Sequence, residues 1–217
     1  MSRVFEFDGE TVRRLEIMYT SPDTVRRRSE VLRLLDVRAG ERVLDIGCGP
    51  GFLAAELAAS VGPAGSVRGI DSSDAMVAAA RARCAAQPWV TIERGEATHL
   101  ELADGEVDAA VSVQVYEYVA DIVGALREVW RALCPGGRTL IVDTDWDSIV
   151  WHSSDPQRMI HVLYAFEEHL ADPRLPRALG PLLSRTGCRV ERCEVLVQLN
   201  PVLAPNTFSF GLIDLVH

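Results

Sequence analysis

Short apolar runs alternate along most of the chain with longer stretches whose apolar residues recur at helical spacing. The run from Val107 to Val113 is almost wholly apolar, as is typical of a parallel strand covered on both faces. Ser21 precedes Pro22, which places a capping hydroxyl before a proline at the first position of a helix. The pattern predicts, in chain order, helix 22–36, strand 42–46, helix 52–60, strand 66–70, helix 74–86, strand 89–93, strand 107–113, helix 120–133 and strand 139–142. Repeating βα units of this kind predict a doubly wound, mostly parallel α/β sheet with helices on both faces, and a ligand beyond the carboxyl ends of its strands.

The two ends of the chain depart from this repeat. Residues 1–20 predict an amphipathic, lid-like segment. After the fifth strand the pattern predicts helix 156–171, helix 176–185, strand 189–199 and helix 207–217. No linker rich in Gly, Pro or Ser divides the 217 residues, so we expect one domain. Its parts are a helical N-terminal cap (1–36), a cofactor-binding core (41–145) and a helical insertion on the substrate side (155–186).

Composition narrows the classes of function. The net charge is −9, and no basic stripe with interleaved aromatic residues occurs, which disfavours a nucleic-acid partner. We interpret the local cluster Arg26-Arg27-Arg28 as the solvated face of a helix. All 22 basic residues are arginine, so lysine Schiff-base chemistry is excluded. The apolar runs are too short for a membrane span.

The five cysteines contain no Cys-x-x-Cys pair, and no signal-like segment precedes them, so we expect a reduced, cytoplasmic protein. Neither the cysteines nor the histidines have the spacing of a zinc site, and we predict no metal.

The most informative segment is Val43-Leu44-Asp45-Ile46-Gly47-Cys48-Gly49-Pro50-Gly51. Three glycines at every second position let the backbone turn sharply and approach a ligand at the end of a strand. A dinucleotide-binding fingerprint would need a third glycine at position 52, which is Phe52, and a phosphate-binding P-loop would need a lysine. Asp71 follows Gly51 by twenty residues at the next strand end, where a carboxylate suits a ribose diol.

This segment resembles the first motif of class I S-adenosylmethionine-dependent methyltransferases. Further motifs extend the resemblance through most of the chain, namely Gly95-Glu96-Ala97, Val113-Gln114 and Leu133-Cys134-Pro135-Gly136-Gly137. Among the branches of this family, the sequence most resembles the one that methylates quinone precursors and natural products. The resemblance implies a Rossmann-like fold, S-adenosyl-L-methionine as cofactor and S-adenosyl-L-homocysteine as product. We do not find the antiparallel strand with which the family closes its sheet, and we expect the natural chain to continue beyond His217.

The resemblance also implies the residues that would bind the cofactor. Asp45 would order the loop and the amino group, Asp71 would take the ribose hydroxyls, and Glu96 or the amide of Ala97 would meet the adenine. The full set of candidates is Tyr19, Asp45, Gly47, Cys48, Gly49, Gly51, Asp71, Ser72, Met76, Glu96, Ala97 and Gln114.

Methyl transfer depends mostly on holding the nucleophile in line with the sulfur-to-methyl bond, so a dedicated base is optional. The candidates for catalysis are His152, whose reference pKa is near 6.5, together with Asp145 and Tyr116. Each also has a simpler interpretation, as a surface histidine, a loop acid and a packed ring. Tyr118 stands where the family commonly has histidine, and Trp146 and Trp151 are candidates for an apolar wall.

We therefore expect methyl transfer to an oxygen, nitrogen or carbon of a small organic acceptor, aromatic or quinol-like, by a monomer or homodimer without nucleic-acid or membrane partners. One alternative is a non-catalytic subunit that binds S-adenosylmethionine and regulates a partner. Another is an enzyme resembling arsenite methyltransferases, which hold arsenic with several thiolates, although the five cysteines form no convincing trio.

Overall fold

A computed structural model describes residues 9–216, so the first eight residues of the predicted N-terminal cap, and His217, lie outside the described residues. Five parallel strands form one sheet in the order β3-β2-β1-β4-β5. The strands are β1 (Arg42–Ile46), β2 (Ser66–Asp71), β3 (Val90–Arg94), β4 (Val107–Val113) and β5 (Leu133–Val142). The direction of winding reverses between β1 and β4, so the crevice beyond these two strand ends is the expected ligand site.

Helices surround the sheet and extend beyond it at both ends of the chain. They are α1 (Gly9–Tyr19), α2 (Pro22–Leu35), α3 (Phe52–Val61), α4 (Asp74–Cys84), α5 (Ile122–Ala132), α6 (Pro156–Glu167), α7 (Pro176–Arg185) and α8 (Phe208–Val216). Two short 3₁₀ helices, Tyr116–Tyr118 and Trp146–Ser148, follow β4 and β5 and were not predicted. Over residues 9–216, every helix is too short or too polar to cross a membrane.

The sheet is covered on both faces, as the doubly wound prediction requires. Val43 packs with residues of α2, α3 and α4, whereas its neighbour Leu44 packs with residues of α5 and with Leu175 at the start of α7. Successive side chains of a strand point to opposite faces, so this alternation places one core on each side of β1. The predicted fold class is confirmed.

The fifth strand is longer than the predicted 139–142, because β5 starts at Leu133, directly after α5 ends. A register shift interrupts its pairing with β4 between Val107 and Ala109. Gly136 takes a φ of +83°, which lets the strand absorb the extra residues of Pro135-Gly136-Gly137. A Pro-Gly-Gly sequence that reads as a turn is here an irregular part of a strand.

The predicted strand 189–199 is wrong. The segment has no regular secondary structure and belongs to no sheet, and Val195 and Val197 are 85% and 82% exposed. Its alternating apolar residues have the period of a strand, but a strand also needs a neighbour to accept its backbone hydrogen bonds. The segment instead ends beside α2, where the amides of Gln198 and Asn200 each donate to Asp23 at 3.0 Å.

Candidate functional site

The loop after β1 is tied to the end of β2 through Asp71. One carboxylate oxygen of Asp71 accepts a hydrogen bond from the Gly49 amide at 2.8 Å, and the other accepts from the Ser73 amide at 2.9 Å. Burial raises the pKa of this carboxyl, whereas the two backbone donors act in the opposite direction. The resemblance assigns Asp71 to the ribose hydroxyls, and the structure adds that this carboxylate shapes the glycine loop.

All three glycines have a positive φ, and two of them, Gly47 and Gly51, also leave no space for a side chain. Gly47 and Gly51 have φ values of +66° and +81°, which L side chains rarely adopt. A Cβ on Gly47 would lie 2.3 Å from a methyl group of Val115, and a Cβ on Gly51 would lie 2.8 Å from the Cα of Ala80. The loop therefore packs tightly between the segment after β4 and helix α4.

Asp45 lies at the end of β1, and its side chain is only 2% exposed. Its Oδ2 has no hydrogen-bond partner among the described residues. Burial, and secondarily the charge of Asp71, raise the pKa of Asp45 to about 8. A buried carboxyl with a free oxygen is costly unless a donor or a cation reaches it. The amino group of the expected cofactor would supply both, so the residues fit that group.

Helix α1 ends over this loop at Tyr19. The Tyr19 ring lies 3.9 Å from the position that a Cβ on Gly49 would take, and it meets the Phe52 ring edge-on at 6.2 Å between centroids. Arg83 of α4 also packs against Phe52, with its guanidinium carbon 3.5 Å from the centre of the ring. The same guanidinium donates a hydrogen bond to Glu16 of α1 at 2.6 Å. These contacts place Tyr19 beside the glycine loop, and its role toward the cofactor stays a prediction.

Of the remaining cofactor candidates near β1 and β2, Cys48 and Met76 are buried and Ser72 is exposed. Cys48 is buried beneath the loop, and burial raises the pKa of its thiol. Met76 is buried in an apolar cluster with Trp146 and Phe166. Ser72 is exposed, and its carbonyl accepts a hydrogen bond from Arg94.

Candidates beyond β3 and β4 also border the crevice. The exposed Glu96 is close enough to Asp71 for its charge to raise the pKa of that carboxyl. Ala97 is half-buried against the core on the α5 side. Gln114 has a φ of +56°, unusual for a residue with a side chain, and its amide donates to Thr144 at 3.0 Å. Such conformations are often found at ligand sites.

The comparisons with known proteins agree with this geometry. Residues 44–141, which run from β1 to β5 and include the glycine loop, Asp71, Glu96 and Gln114, match a family described as a methyltransferase domain. Over this range the chain has the sequence of a methyltransferase domain. The matched range begins one residue before Asp45 and ends one residue before the last residue of β5.

Two relatives and two solved structures show the extent of the similarity. The chain is 40% identical over 171 residues to an uncharacterized 37.1 kDa protein in transposon TN4556 of Streptomyces fradiae, covering 78% of this chain and 48% of that one. It is 37% identical over 109 residues to a demethylmenaquinone methyltransferase of Symbiobacterium thermophilum, covering 49% and 43%. The chain spans about half the length of the curated relatives it matches.

Solved structures extend the similarity in fold. A SAM-dependent methyltransferase from Aquifex aeolicus superposes with a TM-score of 0.67 at 23% identity, over 86% of this chain and 91% of that one. Phosphoethanolamine N-methyltransferase 2 of Haemonchus contortus, solved in complex with S-adenosyl-L-methionine, gives 0.68 at 22% identity, over 84% and 42%. At these identities the likeness establishes the fold.

The structure does not bring the three candidates for catalysis together. Both carboxylate oxygens of Asp145 accept hydrogen bonds from Arg177 at 2.9 Å, so this acid is engaged in an ion pair. The side chain of His152 is exposed. Tyr116 is buried, its hydroxyl has no partner among the described residues, and burial raises the pKa of its phenol. A role of these residues in catalysis stays a prediction.

Sequence reasoning missed Glu117, which lies in the 3₁₀ helix after β4 and is fully buried. Its Oε2 accepts from the Thr144 amide at 2.9 Å and from the Trp146 indole at 3.2 Å, whereas its Oε1 has no partner among the described residues. Burial first, and then the charge of Asp143, raise the pKa of Glu117 to about 8. Between two tyrosines at a helix start, this glutamate resembled a surface residue.

Asp143 is the second buried acid of this region and follows β5 directly. Its Oδ1 accepts from the Val115 amide at 3.0 Å, and its Oδ2 is without a partner among the described residues. Burial raises its pKa to about 6. A signal was present in the sequence, because Glu117 and Asp143 follow two strands that the βα pattern could have placed side by side.

The interpretation of Arg26-Arg27-Arg28 as a solvated face is wrong for two of its three residues. Arg28 is buried and bonds to Glu56 at 3.0 Å and to the Tyr19 carbonyl at 2.5 Å. Arg27 is half-buried, and its Nε is buried with no partner in the described part of the chain. The charges of Tyr19 and Glu117 both act on Arg27, so its guanidinium lies near the two.

The cysteines do not form a thiolate site. Cys48 and Cys84 are buried, and the other three are spread over β5 and the segment after α7. Within residues 9–216 no group of three or more His, Cys, Asp or Glu side chains is arranged to hold a metal ion. Nothing in the described arrangement favours the arsenite alternative.

Proposed function

We propose that this chain transfers a methyl group from S-adenosylmethionine to a small, flat organic acceptor of the aromatic or quinol-like class. The observation that carries the proposal is the glycine loop held by Asp71 above the unpartnered, buried Oδ2 of Asp45. When bound, S-adenosylmethionine supplies an electrophilic methyl group on a positively charged sulfur.

On the cofactor side, the proposal assigns three tasks to the chain. The Gly47–Gly51 loop offers backbone without side chains, Asp45 receives the amino group, and Asp71 accepts from the ribose hydroxyls with the lone pairs that its backbone donors leave free. Met76 and Ala97 border the adenine position. Tyr19 covers the loop and keeps water out.

On the acceptor side, the apolar cluster around Trp146 supports a flat substrate. The Trp146 and Phe166 rings lie 4.4 Å apart between centroids, and Met18, Met76 and Leu212 complete the cluster from α1, α4 and α8. Aromatic faces of this kind stack on flat rings. The name of the demethylmenaquinone methyltransferase relative agrees with a quinol-like acceptor.

Calorimetric titration with S-adenosylhomocysteine and, separately, with NADH tests the cofactor assignment. We expect binding of S-adenosylhomocysteine only, and tight NADH binding would overturn the proposal. The same titration in buffers of different ionisation enthalpy should show proton release near pH 7, because a bound ammonium favours the ionised form of Asp45. Labelled S-adenosylmethionine with a panel of phenols, quinols and small heterocycles then tests for transfer.

The second candidate is a subunit that binds the cofactor without catalysis. The engagement of Asp145 by Arg177 and the exposure of His152 favour it, since two of the three catalytic candidates do not face the loop as free groups. Binding of S-adenosylhomocysteine without methylation of any panel member would support this candidate.

A further inference from the structure

Two buried polar atoms without hydrogen-bond partners among the described residues, Glu117 Oε1 and Arg27 Nε, belong to side chains close enough for the charge of one to act on the other. Glu117 has a free Oε1 although the residue is fully buried, and Arg27 has a buried Nε without a partner among the described residues. The two come from different elements, the 3₁₀ helix after β4 and helix α2. A buried carboxyl oxygen and a buried guanidinium nitrogen that remain unpaired are both costly, which is a reason to look for a ligand between them.

The position of this pair relative to the glycine loop follows from its contacts. Val115, two residues before Glu117, packs against Gly47, and Tyr19 above Gly49 is affected by the charges of both Arg27 and Glu117. The pair therefore lies beyond the ends of β4 and β5, beside the loop that the proposed function gives to the cofactor.

We propose that Glu117 takes the proton of the methyl acceptor through its Oε1, that Arg27 stabilises the resulting oxygen anion, and that the acceptor is therefore a hydroxyl compound of the phenol or enol class. This inference rests on the proposed function. In the step, the acceptor O–H bond breaks and its proton passes to Glu117. An oxygen electron pair forms the bond to the methyl carbon, and the sulfur-to-carbon pair stays on sulfur, giving S-adenosylhomocysteine.

The surroundings of Glu117 explain the choice of a hydroxyl over a cationic amine. Arg27 lies close enough to Glu117 for its charge to favour the ionised carboxylate, and a positive guanidinium favours a developing oxygen anion but repels an ammonium group. Trp146 and the Thr144 amide hold the other oxygen of Glu117, so the free one has a fixed direction.

Several groups decide when Glu117 carries charge. Asp143, from the end of β5, disfavours the ionised form, whereas Arg27 of α2, the Thr144 amide and the Trp146 indole favour it. Tyr19 of α1 and Tyr118 next to Glu117 in sequence are neutral hydroxyls in the working range of pH, because the pKa values of both phenols are raised, that of Tyr19 mainly by burial. Since the base must be ionised, the rate should rise with pH up to about 8 and then level.

The test compares wild type, Glu117→Gln and the control Glu168→Gln, which changes an exposed glutamate just after α6. The probes are phenol, catechol and hydroquinone, with aniline as the amine counterpart, and labelled S-adenosylmethionine. We expect methylation of a hydroxyl probe in preference to aniline. Glu117→Gln should lower kcat by about 10²-fold to 10⁴-fold and remove the rise with pH, with S-adenosylhomocysteine affinity kept within about two-fold. The control should behave as wild type.

A second variant keeps the test decisive if Glu117→Gln does not fold. Trp146→Phe retains the ring but removes the indole donor to Glu117, so the midpoint of the pH–rate profile should move upward. An unmoved midpoint, a Glu117→Gln enzyme that keeps the rise with pH, or a protein that binds S-adenosylhomocysteine but methylates none of the hydroxyl probes would each overturn the assignment. Failure of wild type to bind S-adenosylhomocysteine would instead overturn the proposed function.

Discussion

Replacing Asp71 by asparagine tests the link between the two strand ends at the candidate cofactor site. Each carboxylate oxygen of Asp71 accepts from one backbone amide, Gly49 at 2.8 Å and Ser73 at 2.9 Å. An asparagine keeps one acceptor oxygen but turns an NH₂ group toward the other backbone N–H, so one of the two bonds is lost and replaced by two facing donors. The ribose would also lose an ionised acceptor.

A hydrogen bond to a charged group contributes about 1.5–3 kcal/mol, and we therefore expect Asp71→Asn to weaken S-adenosylhomocysteine binding by about 2–3 kcal/mol. Because each 1.4 kcal/mol is a factor of ten, this corresponds to an increase in Kd of about 30-fold to 150-fold. Calorimetry at pH 7 measures it. The matched control is Asp74→Asn, three residues on, whose side chain is 81% exposed. Equal Kd values for the two variants would refute the reasoning.

Three further predictions concern stability. Gly51→Ala should lower the free energy of unfolding by at least about 2 kcal/mol more than Gly40→Ala does. Both glycines have a φ above +80°, but only a Cβ on Gly51 would meet backbone atoms. Chemical denaturation of the two variants measures the difference. Stability should fall between about pH 4 and pH 8, because the folded state holds the proton of Asp45 up to about pH 8 whereas the unfolded chain releases it near 4. Asp45→Asn should flatten this fall in melting temperature, and an unchanged slope would contradict it. Arg138→Lys should lower the unfolding free energy by about 1–3 kcal/mol, because one ammonium cannot replace the guanidinium bonds to Glu41 and to the carbonyls of Leu35 and Asp36 at the end of α2. Equal denaturation midpoints would argue against this.

The sequence predicted most of the fold because the βα repeat is local. Each strand from β1 to β4 is a short apolar run followed by a recognisable helix or turn, and the glycine spacing places the loop directly after β1. What the repeat could not predict was pairing. Residues 189–199 have the period of a strand, yet strand formation depends on a neighbour elsewhere in the chain, which a local pattern does not contain.

The same distinction holds at the site. Asp45, Asp71 and Gln114 follow from motif spacing, and the structure places all three at strand ends around one crevice. Motif spacing does not single out Glu117 or Arg27, because both are ordinary charged residues in helical contexts. Their surroundings come from tertiary packing, which places Thr144 and Trp146 against the Glu117 carboxylate.

The contact between Gly47 and Val115 has a consequence for the order of events during turnover. A Cβ on Gly47 would lie only 2.3 Å from a Val115 methyl group, so the loop after β1 packs tightly against the segment after β4. We expect a shift of the loop to displace this segment and, with it, Glu117. We therefore expect ordered binding, in which the cofactor binds first and fixes the loop conformation, and the methyl acceptor binds second. Product inhibition patterns from steady-state kinetics would reveal that sequence of arrival.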